Sequence, residues 1–293
     1  MIDWKEVSNE IRQALPALKI RQEEPLSKHT SFRIGGPAAI FAQPASEMEL
    51  AALLRFAKAQ KIKFRLLGAG TNVLAPDEGL RELVICTKDA LCGLKDLGNA
   101  RIEAYAGETL ARTAVFARNL SLTGLEFAHG IPGTVGGGVY MNAGAYGGEM
   151  KQAAIETTVL TMDGEEQTLS GEEQGFSYRT SAFERMDEII VKTVFQLAPG
   201  NQEEISARMQ ELLEKRRTSQ PLELPSAGST FKRPEGAYAG ALIQQAELKG
   251  VSVGGAQVSV KHAGFVVNTG GATADDVKKL IALVQKRVYE TSG

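Results

Sequence analysis

The sequence predicts an α+β fold in two domains, on three observations. Segments with strand periodicity and segments with helix periodicity mix without a regular βαβ rhythm. Composition shifts near residue 199, where Pro199-Gly200 ends a run of strands and a long helix begins. The chain has 293 residues, room for two domains at about 150 each. The expected division is 1–199 and 200–293.

Each element has a local reason. Trp4, Val7, Ile11, Leu15 and Leu18 recur at helical spacing and predict an amphipathic helix over residues 1–18. Its acids set it apart from a secretory signal. Ser46–Gln60 is the next predicted helix, with Ser46 as cap, Glu49 completing a capping box, and Leu50, Leu53, Leu54 and Ala57 on one face. Strands are expected at Phe64–Leu67, Leu83–Cys86 and Ile102–Tyr105. Ile155–Met162 and Glu165–Leu169 read as a hairpin around Asp163-Gly164, a pair suited to a type I′ turn. Ile189–Leu197 is a further strand. Beyond it, Gln202–Arg217 turns Ile205, Met209, Leu212 and Leu213 inward and ends in basic residues. Ser219–Pro234 reads as a loop, followed by short strands near Val251–Val258 and Phe265–Val267. A last helix is capped by Thr273 with Asp276 three residues on, and buries Val277, Leu280, Ile281, Val284 and Val288.

Composition excludes several classes. Lys plus Arg total 33 against 35 for Asp plus Glu, a formal charge of −2, which gives no electrostatic draw toward nucleic acid or an anionic membrane. No apolar run approaches the ~20 residues of a membrane span. Cys86 and Cys92 form neither a disulfide framework nor a CxxC motif. His29, His129 and His262 are scattered, without metal-ligand spacing, so no metal is expected. The chain reads as a cytoplasmic, soluble protein, expected to be a monomer.

Glycine is the positive clue: 31 of 293 residues, and 8 of the 19 from Gly130 to Gly148. Such a segment suits either a tightly packed loop or an array of exposed N–H groups cradling phosphate oxygens. Gly68-Ala69-Gly70-Thr71-Asn72 follows a predicted strand but has Val73 where a dinucleotide fingerprint needs its third glycine. There is no P-loop. His29 to Pro37 adds hydroxyls and another turn. Three such loops in one half suggest a long phosphate-bearing ligand held by main chain. Arg179, beside Tyr178 in a polar stretch, can match a carboxylate with two hydrogen bonds, although a surface ion pair is the commoner use of such a residue. Ser229 follows a glycine in a predicted loop, and with no GxSxG elbow a structural role is the simpler reading on spacing alone.

In order along the chain, HTSFRIGG, GAGTNVL, GLEFAHGIPGTVGGGVYMNAGAYG, FSYRTS, SAGSTFKRP and HAGFVVNTGGAT closely resemble the motifs of the UDP-N-acetylenolpyruvoylglucosamine reductases of bacterial cell-wall synthesis. The resemblance runs from about His29 to the end, and the spacing from Arg179 to Ser229 is similar to that of the shorter, type II branch. It implies an FAD-binding fold of the p-cresol methylhydroxylase or vanillyl-alcohol oxidase type over 1–199. A smaller α+β substrate-binding domain would occupy 200–293. The implied reaction reduces UDP-N-acetylglucosamine enolpyruvate to UDP-N-acetylmuramate, with NADPH as reductant and FAD as cofactor.

The resemblance also implies site residues. Arg179 would accept charge developing on the enolpyruvyl carboxylate, and Ser229 would donate the proton. FAD contacts are expected from Ile34, Gly35, Gly36, Gly68, Ala69, Gly70, Thr71, Asn72, Gly130, Ile131, Pro132, Gly133, Thr134, Gly136, Gly137, Asn142, Gly144 and Ala145. Tyr178, Lys232 and Arg233 are expected at the substrate. Oxidases that share the FAD fold often bind flavin covalently through His or Cys, and His129 adjoins the glycine segment. Family members usually continue into a strand bearing a Glu in an E-V-x-x-I-G-like motif. This sequence stops at Glu290-Thr291-Ser292-Gly293, and the expectation is either truncation, which is preferred, or a shortened member with impaired catalysis, with Glu290 given no role.

Overall fold

The computed structural model describes residues 2–293. Its first helix is Trp4–Ala14, capped by the Asp3 carboxylate, which accepts from the N–H groups of Lys5 and Glu6. It stops short of the expected Leu18 because Pro16 drives Leu15 out of the helical region, to φ −133° and ψ 70°. Leu18 is buried all the same, just before a strand at Lys19–Pro25.

The described residues form two compact units. The first takes the chain up to Glu23, Ala39–Ala69 and Arg81–Glu214. The second takes Glu24–Ala38, Gly70–Leu80 and Lys215–Gly293. This division differs from the single boundary expected at residue 199, and the reason is burial. Phe32 and Ile34, from the first excursion, share a core with Ile243, Leu248, Val258, Val266 and Leu280. No local periodicity announces that pairing.

In the first unit, a four-stranded sheet runs in the order Lys19–Pro25, Pro37–Gln43, Leu80–Cys86, Phe64–Leu67, and the last two strands are parallel. The strand Pro37–Gln43 is apolar over residues 38–42, which are fully buried, as a central strand covered on both faces requires. A five-stranded antiparallel sheet has the order Glu166–Ser170, Ala154–Leu160, Ile189–Gln196, Arg101–Tyr105, Leu94–Gly98.

The expected hairpin forms, but not its type I′ turn. Gly164 has φ +73° while Asp163 stays negative, and Thr161 exchanges bonds with both Gly164 and Glu165. That is a three-residue loop, a type I turn closed by a glycine bulge. Helices Leu110–Asn119 and Val135–Tyr140, capped by Thr109 and Thr134, lay outside the sequence reading.

In the second unit, Ser226–Ser229, Phe265–Asn268, Ala256–Val258 and Ser252–Val253 form an antiparallel sheet in that order. Residues 226–229, expected in a loop, are therefore an edge strand. The last helix is Ala274–Ser292, with the reciprocal Thr273–Asp276 capping box that the sequence predicts. No helix among the described residues is long and apolar enough to cross a membrane.

Candidate active site

In the first unit the strand Phe64–Leu67 delivers the chain to Gly68 and Ala69, directly beneath the glycine-rich loop. A Cβ on Gly68 would lie 2.5 Å from Thr134 Oγ1, so glycine is required there by close approach. Thr134 is buried and its hydroxyl accepts from the Gly137 N–H at 3.3 Å. The loop is stitched to residues 106–110. Leu110 N–H donates to the Gly133 carbonyl at 3.0 Å, Val135 N–H to Glu108 at 2.8 Å, and Gly136 N–H to Ala106 at 2.9 Å. The Glu108 carboxylate is buried and accepts from the Thr109 N–H at 2.9 Å. Nothing in the alternation of that stretch marked it as a support of the loop.

Two features of the loop point outward from the protein's own bonding. The N–H groups of Gly130 and Gly133 bond to no described residue. His129 Nδ1 is buried and has no hydrogen-bond partner. Buried polar atoms are almost always paired, so an orphan beside unengaged N–H donors suits a polar ligand.

The same unit assembles a second cluster. Asn142 is buried at φ +41°, and its side chain is fully used: Nδ2 donates to Glu149 Oε2 at 3.1 Å and to the Ser177 carbonyl at 3.0 Å, while Oδ1 accepts from the Lys151 N–H at 2.9 Å. This pins the tight turn Ser177–Thr180 beside the small antiparallel pair Gly144–Ala145 and Gly148–Glu149. Arg179 occupies that turn at φ +56°, a conformation costly for a side-chain-bearing residue and concentrated at functional sites. Its Nη2 donates to the Gly144 carbonyl at 2.7 Å, and Nη1 reaches the Asn142 carbonyl at 3.5 Å. The guanidinium lies 5.5 Å from the ring centroid of half-exposed Tyr178. It forms no ion pair with any described residue. The surface salt bridge that composition alone allows is absent, and a partly buried cation is held by carbonyl oxygens with donors to spare.

The remaining expected residues lie in the second unit. Ile34 is buried and its carbonyl accepts from Thr30 Oγ1 at 2.9 Å. Gly35 and Gly36 accept from Ser27 and Leu26, and the Gly36 N–H donates to Pro76 at 2.9 Å. Gly70 accepts from Ser31, and Thr71 and Asn72 continue that loop. Ser229 is exposed at the end of its strand, after a bulge between the pairs Ser226↔Val267 and Ser229↔Phe265. The next residue, Thr230, bonds to Gly264 and Val266, whereas the Ser229 hydroxyl has no partner among the described residues. Lys232 and Arg233 are exposed, and the Arg233 guanidinium stacks 4.3 Å from the centroid of Tyr238. Nearby, His262 Nδ1 accepts from the Gly264 N–H at 3.1 Å, and burial lowers its pKa.

Comparison with known proteins gives the geometry a context. A family profile for an FAD binding domain matches residues 38–170. A second, for the C-terminal domain of UDP-N-acetylenolpyruvoylglucosamine reductase, matches residues 220–293. The reductase of that name from Caldanaerobacter subterraneus is 46% identical over 287 residues, spanning 97% of this chain and 94% of its own length. That from Agathobacter rectalis is 47% identical over 294 residues, spanning 97% and 93%.

This chain belongs to the UDP-N-acetylenolpyruvoylglucosamine reductase family.

A crystal structure of the family's enzyme from Thermus caldophilus superposes with a TM-score of 0.77 at 35% identity, covering 92% of this chain and 94% of that one. An alkyldihydroxyacetonephosphate synthase shares the fold at a TM-score of 0.51 and 14% identity, over 68% of this chain and 41% of its own. The chain is thus an FAD oxidoreductase of the vanillyl-alcohol oxidase type of fold. The residues present suit such a cofactor: unengaged N–H donors at Gly130 and Gly133 could meet a diphosphate, and the orphaned His129 Nδ1 a further polar atom.

Proposed function

We propose that this protein reduces UDP-N-acetylglucosamine enolpyruvate to UDP-N-acetylmuramate, drawing electrons from NADPH. Cofactor contacts are proposed from residues of both units, the glycine-rich loop from the first and the Ile34–Gly36 and Gly70–Asn72 segments from the second, and the proton donor comes from the second. Bound FAD would supply the hydride transfer from NADPH to the enolpyruvyl β-carbon. The protein's own residues manage the charge and the proton. Hydride addition leaves an electron pair at the α-carbon, delocalised onto the adjoining carboxylate. Arg179 is suited to that anion: two carbonyls fix its orientation, no acidic side chain neutralises it, and the rest of its five N–H donors stay available. That uncompensated, oriented cation is the observation on which the reading rests.

The α-carbon then takes a proton to complete the saturated ether. Ser229 suits this role because its hydroxyl is exposed and committed to no protein acceptor. A hydroxyl is a weak acid, so a neighbouring group must stabilise the alkoxide or return its proton. Lys232 and Arg233, three and four residues on, are the basic groups proposed for the substrate's diphosphate, and Tyr178 flanks the carboxylate side. The test separates the two half-reactions. Ser229→Ala should leave flavin reduction by NADPH nearly intact and slow reoxidation by the enolpyruvyl substrate. Equal loss in both counts against a proton-donor role.

A further inference from the structure

Ser31 lies within the second unit and touches two segments to which the reading above gives different tasks. Its N–H donates to the Gly70 carbonyl at 3.1 Å. Its hydroxyl oxygen lies 2.6 Å from the Ser226 carbonyl and 3.4 Å from that of Gly70. A hydroxyl carries one proton, and the shorter contact takes it. Ser31 therefore holds Gly70 through its main chain and Ser226 through its side chain.

The two ends differ in how firmly the rest of the unit holds them. Gly70 has φ +62°, and a Cβ on it would fall 2.0 Å from the His29 carbonyl oxygen, so the loop leading to Thr71 and Asn72 is packed directly on His29–Ser31. Ser226 opens the strand that ends at Ser229. This strand has only one paired neighbour, Phe265–Asn268, and a bulge interrupts the pairing before Ser229. A bulged edge strand with one partner is poorly fixed along its own axis, so an outside tether matters. Further bonds join the same excursions to the C-terminal part of the unit. Asn268 Nδ2 donates to the Phe32 carbonyl at 3.1 Å, and the Asp77 carboxylate accepts from the Ala274 and Asp275 N–H groups at 2.7 and 3.1 Å.

We propose that Ser31 is a positioning residue whose hydroxyl fixes the Ser229 strand against the Gly70–Asn72 loop, so that the proton donor keeps a set distance from a cofactor-binding loop. The proposal rests on the roles given above to Ser229 and to that loop. Because Gly70 is held by a main-chain N–H that any residue retains, removing the hydroxyl frees only the strand. A misplacement of about 1 Å in a reacting group costs on the order of a hundredfold in rate. The effect therefore falls on proton delivery and spares cofactor binding.

The experiment uses FAD-loaded wild type, Ser31→Ala, Ser31→Thr, Ser31→Cys and Ser229→Ala, with each half-reaction followed anaerobically in H₂O and D₂O. Ser31→Ala should bind FAD with wild-type affinity in a fluorescence titration and be reduced by NADPH at close to the wild-type rate. Its reoxidation by the enolpyruvyl substrate should slow at least about tenfold, with a larger solvent isotope effect. Ser31→Thr, which keeps the hydroxyl, should restore the rate. Ser31→Cys, a weaker donor of similar size, should fall between, and it supplies the comparison should the alanine variant fold poorly. Wild-type reoxidation in Ser31→Ala, an equal loss in both half-reactions, or no rescue by threonine would overturn the proposal. Those outcomes overturn it alone when Ser229→Ala is slow. A wild-type rate in Ser229→Ala would remove the underlying reading and the proposal together.

Discussion

Arg179 Nη2 donates to the carbonyl oxygen of Gly144 at 2.7 Å, so the cation is aimed by the backbone of the glycine-rich segment and not by an acidic side chain. Lysine at this position keeps the charge but loses the planar fork that can hold carbonyl and substrate at once. Arg179→Lys is expected to slow reoxidation of the flavin by the enolpyruvyl substrate by about a hundredfold or more, the usual scale for losing a preorganised charge stabiliser. Flavin content and reduction by NADPH should be unchanged. Stopped-flow absorbance of each half-reaction checks this, and an unchanged second half-reaction would remove Arg179 from the mechanism.

His129 precedes the glycine loop with a buried, unpaired Nδ1. The reductase reading has it hydrogen-bond the cofactor, whereas an oxidase reading would have it carry the flavin covalently. Acid precipitation of the purified protein should release all of the yellow colour into the supernatant. Colour retained in the pellet would favour the oxidase.

The two thiols differ sharply. Cys86 is 3% exposed and burial pushes its pKa up to about 11, while Cys92 is exposed, with its pKa raised by its partial burial and by Glu108 and Asp89. Only thiolate reacts with disulfide reagents. At about pH 8 the native protein should titrate one thiol, slowly, and a second only after denaturation. Two equivalents in the native state would mean that the end of the strand Leu80–Cys86 opens readily.

His262 sets a pH dependence of stability. Burial, with Lys249 adding to it, lowers its pKa below the usual 6.5, and its Nδ1 must be unprotonated to accept from Gly264. Between the lowered value and 6.5 the unfolded chain binds more protons than the folded one. Stability should therefore decline as pH falls below 6.5 through that window. His262→Asn keeps an acceptor but cannot titrate, and its denaturation midpoint should vary less between about pH 7 and about pH 5.5. Parallel profiles for variant and wild type would contradict this.

What was legible in the sequence was mostly what short-range chemistry decides. Thr273 and Asp276 lie three residues apart and cap reciprocally, as the spacing predicts. Ser46 likewise accepts from the Glu49 N–H, but the expected box stays open, because the Glu49 carboxylate accepts from the Ala45 N–H one residue earlier. The glycine-rich segment stood out by composition, and close approaches within it require glycine: a Cβ on Gly136 would lie 2.8 Å from that of Ala106. Opaque features depend on distant partners. Asn268 reaches Phe32 across 236 positions, and Asp77 caps a helix 197 positions away. Those contacts make residues 24–38 and 70–80 part of the second unit, and no periodicity in either segment encodes them. Arg179 was visible as a residue, yet whether it met a carboxylate or a carbonyl depended on Asn142 pinning its turn.

The most direct test of the central claim follows the flavin spectrum of the purified protein without oxygen. NADPH is added first, then UDP-N-acetylglucosamine enolpyruvate. The account expects the flavin band to bleach on the first addition and to recover rapidly on the second, with one UDP-N-acetylmuramate formed per flavin reoxidised. Absence of a flavin spectrum even after FAD is supplied, or a reduced flavin that this substrate does not reoxidise, would contradict it.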